Sequence, residues 1–226
     1  MSSFNIIKEH TPKKTFRVAS VIDSFDIKQG KTYQEFIGSI DLDFDWNIGI
    51  IFGASGTGKT TIAKEILGND YYVTENYNSD SILDDMPSNC SIDEITKTFC
   101  AVGFGSVPSW LKPYSVLSNG EKMRVDMARS ILEKRECVVF DEFTSVVDRQ
   151  VAKIGSMCIQ KIIRKNNKKF IAVCCHYDVI DWLEADWVFN TNEMKFYSNK
   201  KKDQKLTLKY TKQQFQLGNV LKNITI

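Results

Sequence analysis

With 226 residues, 42% of them hydrophobic and 26% charged, the chain has the length and make-up of a globular domain with one large buried core, which excludes an intrinsically disordered or fibrous protein. Lys+Arg 30 against Asp+Glu 28 leaves a net charge of +2, which on its own argues for neither a nucleic-acid nor a membrane-surface partner. No apolar run approaches the roughly 18 residues of a membrane span, and Met1 to His10 lacks the apolar centre of a signal peptide. The expectation is a cytoplasmic protein with no transmembrane segment of its own.

In chain order, apolar and polar residues first alternate in Phe16-Arg17-Val18-Ala19-Ser20-Val21 and again in Ile40-Asp41-Leu42-Asp43-Phe44-Asp45. A period of two predicts half-exposed antiparallel strands, with the turn-prone Lys28-Gln29-Gly30-Lys31 between them. An antiparallel flap is therefore expected over about residues 16–50. His10 reads as a surface residue in a polar stretch.

The apolar run Ile48-Gly49-Ile50-Ile51-Phe52 leads into Gly53-Ala54-Ser55-Gly56-Thr57-Gly58-Lys59-Thr60 and then into Thr61-Ile62-Ala63-Lys64-Glu65-Ile66-Leu67. This is strand, glycine loop and helix with the P-loop spacing GxxxxGK[ST]. Glycines let the backbone curl until successive N–H groups face a phosphate chain, and the helix adds its positive end. Gly53, Ser55, Gly56, Thr57, Gly58, Lys59, Thr60 and Thr61 are thus the predicted nucleotide contacts. Lys59 is expected along the β- and γ-phosphates, and the Thr60 hydroxyl on Mg²⁺.

Ser91-Ile92-Asp93-Glu94 is a capping box, and Ile95, Phe99 and Val102 then share a helical face. That predicts a helix to about Val102, broken at Gly103, with Trp110 and Pro113 in the loop that follows. A small helical subdomain is expected over about residues 86–120. After Leu117-Ser118-Asn119-Gly120-Glu121 a helix carries Met123, Met127, Ala128, Ile131 and Leu132 on one side. Cys137-Val138-Val139-Phe140 reads as a buried strand delivering Asp141 and Glu142, and Phe170 to Cys175 as another ending at His176. Helix-compatible sequence runs from Val151 to Lys165. Neither a disulfide framework nor a zinc site is indicated by the six cysteines, none of them spaced CxxC. Cys174 and Cys175 are expected to be small buried residues on a sheet covered from both sides. From about residue 195 to 226 the chain is a lysine-rich extension.

Ligands of open α/β sheets bind at the carboxyl ends of the strands, so the P-loop, Asp141-Glu142 and His176 are expected to converge. The fold class predicted is α/β, a P-loop NTPase with a mainly parallel sheet, an antiparallel N-terminal β subdomain and a short helical subdomain.

Five motifs in this order resemble those of the ATP-binding-cassette (ABC) ATPases: GASGTGKT, the signature-like LSNGE, CVVFDE, the D-loop-like FTSVVD and the histidine switch in CHYD. The resemblance covers roughly Val18 to Phe189 and is nearest to soluble, stand-alone members. It implies ATP and Mg²⁺ as ligands, with Asp141 holding the metal through water, Glu142 activating the attacking water and His176 on the γ-phosphate. It also implies that Ser118 and Gly120, with Asp148 of the D-loop, face the nucleotide of an opposite subunit in a homodimer formed on ATP binding. Asn119 and Glu121 depart from the family's Gly and Gln. No glutamine lies between Thr60 and Leu117, so Asp84 stands where the family's Q-loop residue would be, as a further metal ligand or as an ordinary loop acid. Phe25 or Tyr33 is the counterpart of the aromatic that stacks on adenine. Three functions remain open: an ATPase driving a protein or nucleic-acid partner, the nucleotide-binding subunit of a membrane transporter, or an ATP-switched module binding nucleic acid through lysines 161–169 and 195–222.

Overall fold

In a computed structural model, residues 2–13, 15–27, 32–68, 76–133 and 135–198 are described. The expected turn at Lys28–Lys31 and nearly all of the lysine-rich extension lie outside them. Five strands form one sheet in the order β4-β5-β3-β6-β7. Here β3 is Ile48–Phe52, β4 Cys137–Phe140, β5 Lys169–Cys174, β6 Trp187–Asn190 and β7 Lys195–Ser198. The pairs β4·β5, β5·β3 and β3·β6 are parallel, and β7 runs antiparallel to β6 at the edge.

Alternation along these strands divides the core in two. Ile48, Ile50 and Phe52 of β3 point with Phe170, Ala172 and Cys174 into one apolar cluster, shared with the helices α3 (Ile92–Ala101), α5 (Asn119–Leu132), α6 (Arg149–Lys165) and α7 (Asp178–Leu183). Ile51, Val139, Ile171, Val173, Trp187 and Phe189 point the other way, onto α2 (Lys59–Leu67) and a separate pair of strands. Burial on both faces is what a parallel sheet requires and why its strands read as unbroken apolar runs.

That separate pair is β1 (Ser2–His10) against β2 (Thr32–Ile40), antiparallel, with Ile6 opposite Phe36. The sequence placed this flap incorrectly. Phe16–Ser24 is a helix, α1, because the Thr15 hydroxyl accepts the Val18 N–H and starts a helical turn. Its side chains find no core, and Phe16 is 89% exposed, so a two-residue and a helical reading were nearly equivalent there. The second predicted strand begins where β2 ends. In residues 41–45 Leu42 and Phe44 do turn inward, but no neighbouring strand pairs with them and Asp41 Oδ1 accepts the Asp43 N–H at 3.4 Å. The alternation therefore reports burial without a ladder.

Two smaller expectations are also corrected. Val107–Trp110 is a short helix, α4, with Pro108 in its first turn, where the missing N–H breaks no bond. Trp110 is buried in it and donates Nε1–H to Phe104 O at 2.8 Å. Cys174 is buried as expected, but Cys175 lies beyond the end of β5 and is exposed.

Trp187 packs edge-on to Trp46 at 5.5 Å and covers the middle of β3, where a Cβ on Gly49 would stand 2.0 Å from its ring. Gly49→Ala should therefore destabilise the fold by about 1–3 kcal/mol, the usual range for overpacking a core. Urea unfolding tests this, and a midpoint equal to the wild type's would show that the ring can move aside.

Candidate functional site

All five residues of β3 are buried, and the chain leaves them through a loop over residues 53–58 before α2 begins. Gly56 and Gly58 sit at φ 81° and 82°, left-handed values that glycine tolerates without steric penalty. Gly58 occupies the N-cap with no side-chain bond to the helix, so the loop and the first helical N–H groups can face an anion. Lys59 is buried, and its Nζ donates to Ala54 O at 2.9 Å, which draws the ammonium across the loop. Ser55 is exposed at the crest, while Thr60 and Thr61 are half-buried on the first turn.

The wall of this cradle comes from residues that the sequence reading missed. Thr191 N–H donates to Phe52 O at 2.8 Å, and the Thr191 and Thr57 hydroxyls lie 2.6 Å apart. Asn192 Oδ1 accepts the Ala54 N–H at 3.1 Å. A Cβ on Gly53 would meet Thr191 Oγ1 at 2.0 Å, so glycine is required at the mouth of the loop for close approach. Nothing local marks Thr191 and Asn192; their role follows from β6 being the neighbour of β3.

The predicted acids reach the same edge. Cys174 pairs with Phe52 and Ala172 with Phe140, so β3, β5 and β4 end nearly level. Strands lie about 4.8 Å apart, which puts the end of β4 about 10 Å from the mouth of the P-loop. Beyond β4, Phe143 is fully buried between Phe140 and Phe170, and its N–H donates to Val173 O at 2.9 Å. Anchoring Phe143 forces the chain around it. Glu142 adopts φ 52°, a sparsely populated region for a non-glycine residue, and its exposed carboxylate accepts Ser145 Oγ–H at 2.6 Å. Asp141 is half-buried, with one oxygen accepting the Glu142 N–H at 2.9 Å.

His176, half-buried, follows β5, with Cys175 Sγ 3.8 Å from its Nδ1. Burial pushes the Cys174 thiol up to about 12, which leaves it an inert core group. Asp148 caps α6 by accepting the Gln150 and Val151 N–H groups at 2.9 and 3.0 Å. Arg149, next along, forms an ion pair with Asp178 at the start of α7 and lies 4.6 Å over the Trp182 ring. The D-loop-like turn and the segment carrying His176 are thereby tied together.

Among the described residues no three His, Cys, Asp or Glu side chains cluster as a metal site. One Thr60 hydroxyl and one Asp141 carboxylate instead offer a sparse, hard-oxygen set, which suits a cation that keeps water and phosphate oxygens as its other ligands. Asp84 is exposed in a turn whose own bonds run to the segment around α4, from Ile82 N to Lys112 O and from Ser81 Oγ to Trp110 O. No described contact joins Asp84 to the P-loop. Phe25 and Tyr33 are 75% and 54% exposed, so neither is consumed by packing.

Ser118 and Gly120 open α5. The Ser118 hydroxyl accepts the Glu121 N–H, and Glu121 Oε2 accepts the Ser118 N–H at 2.9 Å, a complete capping box. Its other oxygen accepts Ser109 Oγ–H at 2.8 Å. The departure from glutamine thus serves the helix start, and the carboxylate is turned onto its own N-cap rather than pairing with Lys122.

The geometry has counterparts among known proteins. No protein-family model matches the chain. Over 190 residues it is 26% identical to the probable peptide export ATP-binding protein YydI of Bacillus subtilis, covering 75% of this chain and 89% of that one. The chain is thus similar to ATP-binding proteins of ABC transport systems. Against the lipoprotein-releasing system ATP-binding protein LolD of Rickettsia conorii it is 27% identical over 113 residues, 49% of each. It spans only 6% of ABC multidrug transporter E of Aspergillus fumigatus, at 28% identity over 36% of its own length. In fold it resembles the cassette MJ0796 solved as a dimer bound to ADP and Pi, with a TM-score of 0.58, 13% identity and coverage of 85% and 98% of the two chains.

The capping bonds, chiefly that from the Ser118 N–H, hold the Glu121 carboxyl below its ordinary value of 4.5. Its contribution to stability is therefore complete above that value and is lost as pH falls through the lower folded one. Glu121→Gln should flatten the fall in urea midpoint between about pH 6 and about pH 3. Superimposable curves for the two proteins would mean that the carboxylate contributes nothing to the cap.

Proposed function

We propose that the chain hydrolyses ATP to ADP and phosphate, in the cytoplasm, at the interface of two copies arranged head to tail. The observation that carries this reading is the register of β5, which sets Phe52 of β3 opposite Cys174 and Phe140 of β4 opposite Ala172 and so brings a phosphate loop, two carboxylates and a histidine to one sheet edge. Lys59 and the loop N–H groups bind and neutralise the phosphate chain. Thr60 and Asp141 would hold Mg²⁺, with Asp84 as a further carboxylate if its turn closes on the site, and the metal would offset charge on the phosphate oxygens. Glu142 orients the attacking water and takes its proton, and His176 donates to the γ-phosphate oxygens. Phosphoryl transfer needs little more than such positioning and charge stabilisation.

The first turn of α5 supports the two-copy arrangement. Ser118 and Asn119 are exposed there; the capping box engages the Ser118 and Glu121 N–H groups, which leaves those of Asn119 and Gly120 to face an anion. Ser118 and Gly120 of one copy close on the triphosphate held by the other, with Asp148 and its turn at the seam. A second reading, that this ATPase is the nucleotide-binding subunit of a membrane transporter, is favoured by the names of its relatives, which are export and lipoprotein-releasing ATP-binding proteins. Among the described residues no helix is long and apolar enough to cross a membrane.

Glu142→Gln tests the chemistry. It should still bind ATP and dimerise on it, while turnover falls by roughly 10²–10⁴-fold, the scale of a positioned acid–base group. Steady-state phosphate release measures this, and unchanged turnover would remove Glu142 from the mechanism.

A further inference from the structure

One side chain outside every recognised motif reaches the phosphate site. On β1, Phe4, Ile6 and Lys8 share the face turned toward the parallel sheet; Phe4 is buried and Ile6 half-buried. Ile6 pairs with Phe36, whose ring lies against Gly58, where a Cβ would stand 2.5 Å away. One step further along that face, Lys8 Nζ donates to Thr61 Oγ1 at 2.5 Å. The hairpin therefore sits astride the first turn of α2, apolar over the glycine and cationic over the threonine.

We propose that Lys8 is a second cation of the nucleotide site, through which the hairpin holds the phosphate chain of a nucleoside di- or triphosphate. Side chains on a helix lean toward its N-terminus, so the Thr61 hydroxyl, three residues past the N-cap Gly58, points back toward the phosphate loop. An ammonium carries three donors, and the bond to Thr61 uses one. Lys59 already brings its charge across the loop from within; Lys8 brings another from the hairpin, over the first turn of α2. Lys8 is exposed at the end of this face, so its remaining donors are open to a ligand as well as to solvent.

The inference rests on the ATP-site reading, and equilibrium binding without turnover tests it. ATP and ADP affinities are measured by calorimetry for the wild type, Lys8→Met, Lys8→Arg and Lys8→Met in a Thr61→Val background. Lys8→Met should weaken both nucleotides by roughly 5–20-fold, the factor expected of one charge-assisted hydrogen bond. Lys8→Arg should recover most of the loss, and the affinity of Lys8→Met should fall less steeply with salt, which a purely structural role would not produce. With Thr61 already valine, removal of Lys8 should matter less. Lys8→Met affinities equal to wild type, or equal salt dependence, would overturn the inference alone. A wild type that binds neither nucleotide would overturn the reading of the site and this inference with it.

Discussion

The central constraint is the register of β5. This strand pairs with β3 on one side and β4 on the other, and the ladder continues past the strands: Gly53 N–H donates to Cys174 O at 3.3 Å and Phe143 N–H to Val173 O at 2.9 Å. Those two bonds fix where the phosphate loop leaves one neighbour and where the acidic turn leaves the other, with His176 on the strand between. A slip of one residue would turn every side chain of β5 to the opposite face and place Ile171 and Val173 where Phe170, Ala172 and Cys174 now pack. Burial on both faces leaves no alternative register, so apolar packing sets the geometry of a polar site.

Strain and close approach also occur at this edge. Gly53 and Gly58 are held by Thr191 and Phe36, which admit no Cβ, and Glu142 is held in a left-handed conformation by the burial of Phe143. Each forced conformation leaves a backbone N–H or a carboxylate facing outward from a rigid support. Pre-organisation of this kind is what phosphate recognition and water activation require, because the groups need not reorganise when charge develops.

Much of this was legible in the sequence, for identifiable reasons. A buried parallel strand is an unbroken apolar run, and the residue at its end is where chemistry sits; β3 with its loop, β4 with Asp141-Glu142 and β5 with His176 could therefore be read directly. Only the structure shows that Glu121 closes a capping box with Ser118, whereas the one at Ser91 is local and was equally readable. The hairpin was not. β1 lies in a stretch considered only as a possible leader, and α1 depends on a threonine cap at the start of a surface helix with no core to impose a period. Thr191, Asn192 and Lys8 escaped because their contacts join segments far apart in the chain, and neither composition nor spacing marks them.

Subunit mixing tests most directly whether each catalytic site is shared by two copies, as proposed. Lys59→Ala removes the phosphate-site cation, and Gly120→Asp puts a carboxylate on the first turn of α5, where a Cβ would stand 3.2 Å from Val151 and the helix end tolerates an acid. Each variant alone should release phosphate from ATP at background rate. In a mixture, the intact P-loop of the second variant meets the intact α5 terminus of the first, and activity should return. A mixture no more active than its parts, or a Gly120→Asp chain as active as the wild type, would contradict a composite site.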